Sequence, residues 1–350
     1  MKRVLKRLAV VATVLAGCIG VAVPGIARGD DPTPEGGLAA LKAQYERPEA
    51  IPFPPENPYT PAKARLGRLL FFDPILSGSG TRSCASCHNP ALSWADGLKE
   101  AVGEQKLGLR TPTLLDIAWV PVLGWDGKFP DLESVAFGPI LSPANMDNTE
   151  AAVLARLSAN KDYVKAFSEA FPDTPPDKAI SRRHLELAIA TFERTIVAST
   201  APFDRWIDGD DSAISLAAKR GFLLFNGKAG CAECHQGPSF TDGSFQDIGL
   251  AADDDIGRGR LFPTSVKLRH AFKVPTLRDV ARRGPYLHDG SLPTLEAVID
   301  AYNTGGIDRP SRSELIHPLG LTQAEKADLL AFLNTLTGDM KTFQSPVVPR

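Results

Sequence analysis

The sequence has no excess of either charge and, beyond its first residues, no long apolar run. Its 350 residues carry 39 Lys and Arg against 41 Asp and Glu, a net charge of −2. This balance gives no general electrostatic basis for binding nucleic acid. No segment after residue 23 is long and apolar enough to span a membrane. Regular alternation of apolar and polar residues is also scarce, which argues against a fold dominated by β-sheet.

Helical periodicity is present instead, in a chain whose length suits about two domains. Hydrophobic residues make up 43% and charged residues 23%, as in globular proteins. The 30 glycines and 29 prolines predict long ordered loops. Apolar residues recur at helical spacing in six stretches, at residues 61–71, 149–171, 181–199, 211–225, 295–302 and 322–336. We therefore predict a mostly α fold with long ordered loops.

Residues 1–27 are typical of an export signal rather than of a folded domain. Four basic residues among the first seven precede an apolar run at residues 8–23. Two processing routes remain open: cleavage after Ala27, which we favour, and lipidation of Cys18 in a lipobox-like LAGC sequence. The mature protein is expected outside the cytoplasm, and at a membrane only if Cys18 carries lipid. The proline-rich residues 28–60 predict an extended N-terminal arm over the surface.

Four of the five cysteines lie in two CxxCH motifs, formed by Cys84, Cys87 and His88 and by Cys231, Cys234 and His235. Two thiols at this spacing can bond the two vinyl groups of one haem, and the next histidine can then ligate the iron. A disulfide, a zinc site and a thioredoxin-like redox pair are the alternatives. A zinc site does not require histidine after both second cysteines, and a redox pair normally occurs once. The motifs therefore predict two covalent haem c groups, with His88 and His235 as axial ligands.

The sequence around these motifs is duplicated. RLLFF before the first motif matches GFLLF before the second, and PTLLDIA from Pro112 matches PTLRDVA from Pro275. The register then holds without a gap through WDG and HDG to LESV and LEAV, while the second half carries about 16 extra residues before Pro275. We predict two homologous haem domains, at residues 61–207 and 208–350, with a linker at 202–211.

The duplicated register also predicts two unequal haem sites. Fourteen residues after Trp125 lies Pro139, and fourteen residues after the matching His288 lies Tyr302. Proline cannot ligate iron and tyrosine can. We therefore expect an open iron for chemistry in the first domain and a closed iron for holding or relaying an electron in the second. His270 is an alternative ligand, although a surface role is favoured for it, and Tyr302 as a plain helix-face aromatic is the other alternative.

These motifs, together with LGRLLFFDPILSGSGTRSCASCHNP, FERT and the terminal LTQAEKADLLAFLNTLTG, resemble the bacterial di-haem cytochrome c peroxidases and their MauG-type relatives. The resemblance runs over residues 61–338. It implies a periplasmic enzyme with a peroxidatic N-terminal cytochrome c domain and an electron-transfer C-terminal one. Hydrogen peroxide would be reduced with electrons from a small cytochrome c or cupredoxin, or from a protein substrate as in MauG. Trp125 matches the family's inter-haem tryptophan, and Tyr302 matches the tyrosine of MauG rather than the methionine of the peroxidases.

Several positions depart from the family pattern. Pro139, Asn145 and Trp125 are the predicted catalytic-site residues, yet Asn145 stands where the family has a distal glutamate, and Val135 replaces a glutamine. An amide cannot accept the proton of peroxide, and losing such a base commonly costs ~10²–10⁴ in rate. The alternative function is thus a di-haem electron-transfer or redox- or gas-sensing protein without efficient peroxidase activity. Arg110 replaces an asparagine of the family's interdomain calcium site, so its charge would substitute for the ion, with bound calcium as the alternative.

Overall fold

A computed structural model describes residues 35–340 and 342–349, so the predicted signal, Cys18 and the first part of the predicted arm lie outside the described residues. The described chain is mostly helical, which confirms the predicted fold class. A two-stranded antiparallel ribbon pairs β1 (Phe245–Gln246) with β2 (Phe272–Lys273). The helices are α1 (Glu35–Ala43), α2 (Pro61–Phe72), α3 (Cys84–Cys87), α4 (Leu132–Val135), α5 (Phe137–Leu141), α6 (Glu150–Ala159), α7 (Lys161–Ala170), α8 (Arg182–Arg194), α9 (Pro202–Ile207), α10 (Leu216–Asn226), α11 (Leu295–Thr304) and α12 (Gln323–Asn334). None of the helices described is long and apolar enough to cross a lipid bilayer.

The chain divides into two compact units at Ala40. The described residues of the first unit are the first six residues of α1, and the second unit, residues 41–350, holds every element from α2 onwards. Both haem-binding motifs therefore lie in one unit, and the boundary between residues 207 and 208 stays a prediction.

Short-range sequence signals set the ends of several helices. α12 begins with the predicted capping box, because Glu325 N donates to Thr322 Oγ1 at 3.3 Å and Thr322 N donates to Glu325 Oε2 at 2.8 Å. The helix predicted over 149–171 is instead two helices. Asn160 Oδ1 accepts hydrogen bonds from the backbone N–H groups of Asp162 and Tyr163, so this residue caps a new helix, α7.

The predicted linker at residues 202–211 is wrong. Its first six residues form α9, in which Phe203 and Trp206 are buried. Asp204, between them, pairs with the fully buried Arg278 through Oδ1 and Nη1 at 2.7 Å. Burying two large aromatic side chains is more favourable than leaving them exposed to water in a flexible linker. The segment therefore joins the core.

The duplication is visible in how the helices pack. In the first half α2 packs against α8, and in the second half α10 packs against α12. Each pair meets at a glycine: a Cβ atom added to Gly67 would lie 1.9 Å from the Ala188 carbonyl oxygen, and one added to Gly221 would lie 2.0 Å from that of Asp328. Only a residue without a side chain allows this approach, so the two halves share one packing solution.

The loops between these helices repeat as well, at a constant offset of 163 residues. The bridge between Leu123 and Phe129 has its counterpart in the bridge between Tyr286 and Leu292. The two halves also meet symmetrically. Arg110 N donates to His288 O at 2.9 Å, and Lys273 N donates to Trp125 O at 2.8 Å. Since 110 matches 273 and 125 matches 288, these bonds are equivalent under a local two-fold axis.

Two residues of the predicted N-terminal arm, Tyr45 and Asn57, are buried in the core rather than lying on the surface. The Tyr45 ring stacks on Phe240 with centroids 5.0 Å apart, and its hydroxyl donates to Asn226 Oδ1 at 2.6 Å. Asn57, also fully buried, donates through Nδ2 to Glu133 Oε1 at 2.7 Å. The predicted surface position is therefore wrong at both residues, and the segment joins the second half of the chain to the first.

Candidate haem and redox site

The first CxxCH motif forms the short helix α3. His88 follows it and donates its backbone N–H to Cys84 O at 2.9 Å, which fixes the backbone of the histidine against the start of the motif. The Nδ1 atom of His88 lies 3.2 Å from Trp94 O. A ring that donates from Nδ1 to a carbonyl keeps Nε2 free as a lone-pair donor for a metal. Burial lowers the pKa of His88 and so favours this neutral form.

The second motif repeats this arrangement around a 3₁₀ turn at Cys231–Glu233. His235 N donates to Cys231 O at 2.9 Å, and His235 Nδ1 lies 2.9 Å from Phe240 O. Burial again lowers the pKa of the histidine. Both predicted iron ligands are therefore oriented by the same backbone contact in each half.

The four motif cysteines are free thiols in this structure. Burial raises the pKa of Cys231 to about 12 and that of Cys234 to about 11, so both are protonated at neutral pH. Two unpaired thiols at this spacing suit covalent attachment to the vinyl groups of a haem, whereas a structural zinc site binds thiolates, which burial disfavours here. Within the described ranges, no three His, Cys, Asp or Glu side chains converge as metal ligands.

A cavity of about 230 Å³ adjoins the second motif. Cys231, Cys234 and His235 line it, together with apolar side chains such as Phe225. Tyr302, on α11, lines the same cavity. Burial, then the neighbouring Cys231 and Cys234, raise the pKa of this tyrosine above its usual range. An apolar space with two thiols on its wall and a histidine and a tyrosine beside them fits a covalent haem with two protein ligands.

His270 also lines this cavity and is 6% exposed, so the surface role favoured for it is wrong. Its Nδ1 atom lies 2.8 Å from the Asp255 carbonyl oxygen. The side chain of Asp255 holds a second histidine, since its Oδ2 atom lies 2.9 Å from His288 Nε2. The His288 ring stacks on Phe272 with centroids 3.5 Å apart. Asp255 belongs to the extra residues that the second half carries before Pro275. That insertion is the sequence feature that could have indicated these contacts.

Trp125 lies where the two halves meet. Its indole Nε1 donates to Arg110 O at 2.9 Å, and its ring centroid is 6.4 Å from that of His288. It also lines the cavity that contains Tyr302. The structure thus brings together the predicted inter-haem tryptophan and the second predicted haem site.

Pro139 and Asn145 lie on one turn at the end of α5. The carbonyl of Pro139 accepts from Met146 N at 3.2 Å, and Asn145 Nδ2 donates to Ser142 Oγ at 3.0 Å. Both side chains are half-buried. No hydrogen bond among the described residues joins either of them to His88. The structure therefore brings these two predicted residues together without linking them directly to the first CxxCH motif.

Val135 shares a hydrophobic cluster with that motif. It and Cys84 are partly buried side chains against the same hydrophobic cluster, whose members include Phe71 and Phe192. The rings of Trp94 and Phe71 meet edge to face at 5.9 Å. The first motif thus lies against an aromatic core rather than at an open polar surface.

Arg110 is 6% exposed and ends on backbone carbonyls of the second half. Its Nη2 atom donates to Arg283 O at 2.7 Å, and its Nη1 atom donates to Pro285 O. A guanidinium group thereby supplies positive charge between the halves at the position predicted to substitute for calcium.

Residues 61–212 match the family described as di-haem cytochrome c peroxidase. The chain is 50% identical over 315 residues to the methylamine utilization protein MauG of Methylorubrum extorquens, covering 89% of this chain and 88% of that protein. It is 34% identical over 307 residues to the cytochrome c551 peroxidase of Nitrosomonas europaea, covering 85% and 87%. The crystal structure of a MauG-like protein associated with microbial copper homeostasis superposes with a TM-score of 0.77 at 31% identity, covering 84% of this chain and 95% of that one.

These similarities extend over nearly all the described residues and agree with the two CxxCH motifs. Haem c is the cofactor of this family, and peroxide together with an electron donor or a protein substrate are its reactants. The chain belongs to the di-haem cytochrome c peroxidase and MauG family and is a peroxide-dependent di-haem oxidoreductase.

Proposed function

We propose that this protein is a MauG-type oxidoreductase that uses hydrogen peroxide to oxidise a protein substrate. The observation that carries the proposal is Tyr302 on the wall of the cavity that Cys231, Cys234 and His235 line. A tyrosine ligand would stabilise the oxidised iron more than a methionine ligand does, because a phenolate is an anionic oxygen donor. Transfer of electrons from a small cytochrome c or a cupredoxin is the second candidate.

The residues of the two motifs would hold the cofactors. Cys84 and Cys87 would attach the first haem c, and Cys231 and Cys234 the second. His88 and His235 would ligate iron through Nε2, since their Nδ1 atoms face backbone carbonyls. When bound, the two haems supply the iron centres at which peroxide is reduced and oxidising equivalents are held.

The remaining residues would control access and position. Pro139 offers no ligand atom, so its side of the first site would stay open to peroxide. The Asn145 amide can donate a hydrogen bond to a bound oxygen atom, but it cannot accept a proton. The Arg110 carbonyl would hold Trp125 between the two sites through the indole N–H. The slower proton transfer expected at Asn145 suits an enzyme of slow protein oxidation better than a rapid peroxide scavenger.

We further propose that the protein acts in the periplasm without interdomain calcium. The basic and apolar start of the sequence supports export, while lipidation at Cys18 remains the alternative to cleavage after Ala27. The guanidinium of Arg110 already bonds the carbonyls of Arg283 and Pro285, and a cation placed beside it would be repelled.

Electron paramagnetic resonance and optical spectra of the haem-loaded protein test the proposal. We expect one high-spin and one low-spin ferric signal, both lost after stoichiometric peroxide. Tyr302→Phe should remove or shift the low-spin signal, while His270→Ala should leave it in place. The opposite pattern would make His270 the ligand. Two low-spin signals indifferent to peroxide would refute the enzymatic function.

The electron source is decided by kinetics. With peroxide and reduced cytochrome c or cupredoxin, we expect slow donor oxidation, and we expect the oxidised protein to persist when no protein substrate is added. Rapid turnover with a small redox protein would favour the peroxidase function instead.

A further inference from the structure

Lys273 and Arg283 are two of the three buried cations on the wall of the cavity beside the second CxxCH motif, and Arg110 is the third. Lys273 and Arg283 are each 8% exposed. In the described part of the chain, the Lys273 ammonium group has neither a hydrogen-bond acceptor nor an ion-pair partner. Arg283 donates through Nη2 to the Thr276 carbonyl, but its buried Nε atom has no partner. The cavity therefore has unsatisfied positive charge on its wall.

Unpaired buried charge is unfavourable, and the titration behaviour of both groups reflects this. Burial, followed by repulsion from Arg283, lowers the pKa of Lys273 to about 8. Burial, followed by repulsion from Arg110, lowers the pKa of Arg283 to about 10. The carboxylates of Asp279 and Asp116 oppose this lowering of the Arg283 pKa, and Asp279 also accepts hydrogen bonds from Ser93 Oγ at 3.0 Å and from Gly338 N at 3.1 Å. Among the described residues, no carboxylate raises the lowered pKa of Lys273, so this cation lacks an anion from the protein.

The internal duplication shows that Lys273 is special to the second half. At the offset of 163 residues, Lys273 matches Arg110, and each precedes an x-Pro-Thr-Leu sequence. Arg110 reaches across to two carbonyls of the other half. Lys273 instead remains on the cavity wall without a partner. Both side chains therefore line the cavity, but the cation of the first half bonds to backbone carbonyls whereas the ammonium group of the second half has no partner among the described residues.

We propose that Lys273 and Arg283 form a carboxylate-binding site for the propionate groups of the haem attached at Cys231 and Cys234. A haem carries two carboxylates and is otherwise apolar, which matches an apolar cavity with two cations on its wall. Charge-assisted hydrogen bonds to these carboxylates satisfy the unpaired donors. Positive charge beside the cofactor also favours its reduced state, which carries one more electron. The site therefore raises the reduction potential of the C-terminal haem.

This inference rests on the family's haem and not on the proposed oxidation of a protein. Its test is an equilibrium redox titration of the haem-loaded protein, followed optically without peroxide. Because this titration needs neither peroxide nor a protein substrate, a negative result would leave the proposed function untouched. Lys273→Met should lower the potential of the second haem and shift its propionate bending band in resonance Raman spectra. Lys273→Arg should restore both. The matched control is Lys128→Met, which removes the same charge from an exposed side chain three residues from Trp125 and should leave both unchanged.

An unchanged potential and an unchanged Raman band in Lys273→Met, with both haems attached, would overturn the proposal. The mass of the purified protein reports how many haems are covalently attached, and this measurement decides the outcome if a variant fails to attach its second haem. Loss of the second haem in Lys273→Met but not in Lys273→Arg supports a requirement for the charge. Equal loss in both variants assigns the position to packing and rejects the carboxylate site.

Discussion

Tyr45 offers the sharpest test of how the N-terminal segment contributes to stability. Its ring meets those of Phe203, Phe222 and Phe240 with centroids 5.8, 5.4 and 5.0 Å away, and its side chain is 1% exposed. Replacing a large buried aromatic by alanine costs about 3–5 kcal/mol in lost transfer free energy and residual cavity. We expect Tyr45→Ala to fall in this range, because the surrounding rings cannot collapse without breaking their own contacts.

Tyr45→Phe separates the hydroxyl from the ring. It removes only the hydrogen bond to Asn226 Oδ1 and leaves that half-buried acceptor without this donor, so we expect a loss of about 1 kcal/mol. The matched control is Tyr59→Ala in the same segment. Tyr59 is 47% exposed and meets one ring, that of Phe53 at 5.2 Å, so its loss should cost about 0.5 kcal/mol.

The assay is guanidinium-induced unfolding of the haem-loaded protein, in which the midpoint reports stability and the slope reports the surface exposed. We expect a large midpoint shift for Tyr45→Ala at an unchanged slope. If Tyr45→Ala costs no more than Tyr59→Ala, the segment does not contribute to the core of the second half.

Three further predictions concern metal binding, pH and catalysis. Chelators should leave the melting temperature of the native protein unchanged, whereas Arg110→Asn should lower it and should create calcium binding measurable by calorimetry; a native protein destabilised by chelator would contradict the role given to Arg110. Burial raises the pKa of Glu193 from 4.5 to about 8, so the folded chain keeps a proton that the unfolded chain loses. Its contribution to stability is complete below about pH 4.5 and is lost as the pH rises through about 8; Glu193→Gln should flatten this decline in the free energy of unfolding, and an unaltered pH profile would refute it. Asn145→Glu should raise the rate of peroxide consumption by ~10²–10⁴, because a carboxylate can accept the proton that an amide cannot, and an unchanged rate would mean that residue 145 does not face the bound peroxide.

Local chemistry and repetition made much of this protein predictable. The two CxxCH motifs identify four cysteines for haem attachment and two histidines for iron ligation, whatever the fold around them. The constant offset of 163 residues then paired Trp125 with His288 and pointed to Tyr302, which does line the cavity beside His235. Helices such as α12 were predictable because their caps and apolar faces lie within a few residues of one another.

Contacts between distant residues were decided by the tertiary structure. Nothing near Tyr45 in sequence indicates that it packs on Phe240, and the polar surroundings of α9 concealed two buried aromatic rings. The sequence favours a surface role for His270, yet the backbone carbonyl of Asp255 holds its ring at the cavity. Whether a side chain is buried depends on which remote segment covers it, and local periodicity does not encode that.

Arg110 and Lys273 show the same difference between what the sequence and what the tertiary structure decides. The sequence by itself determined that Arg110 and Lys273 occupy equivalent positions of a repeat in a di-haem protein. Both cations line the same cavity, and the packing of the two halves decides that the guanidinium meets carbonyls 173 and 175 residues away while the ammonium group has no partner among the described residues. The charge of a side chain is a local property, whereas its partner and its solvation are set by the whole folded chain.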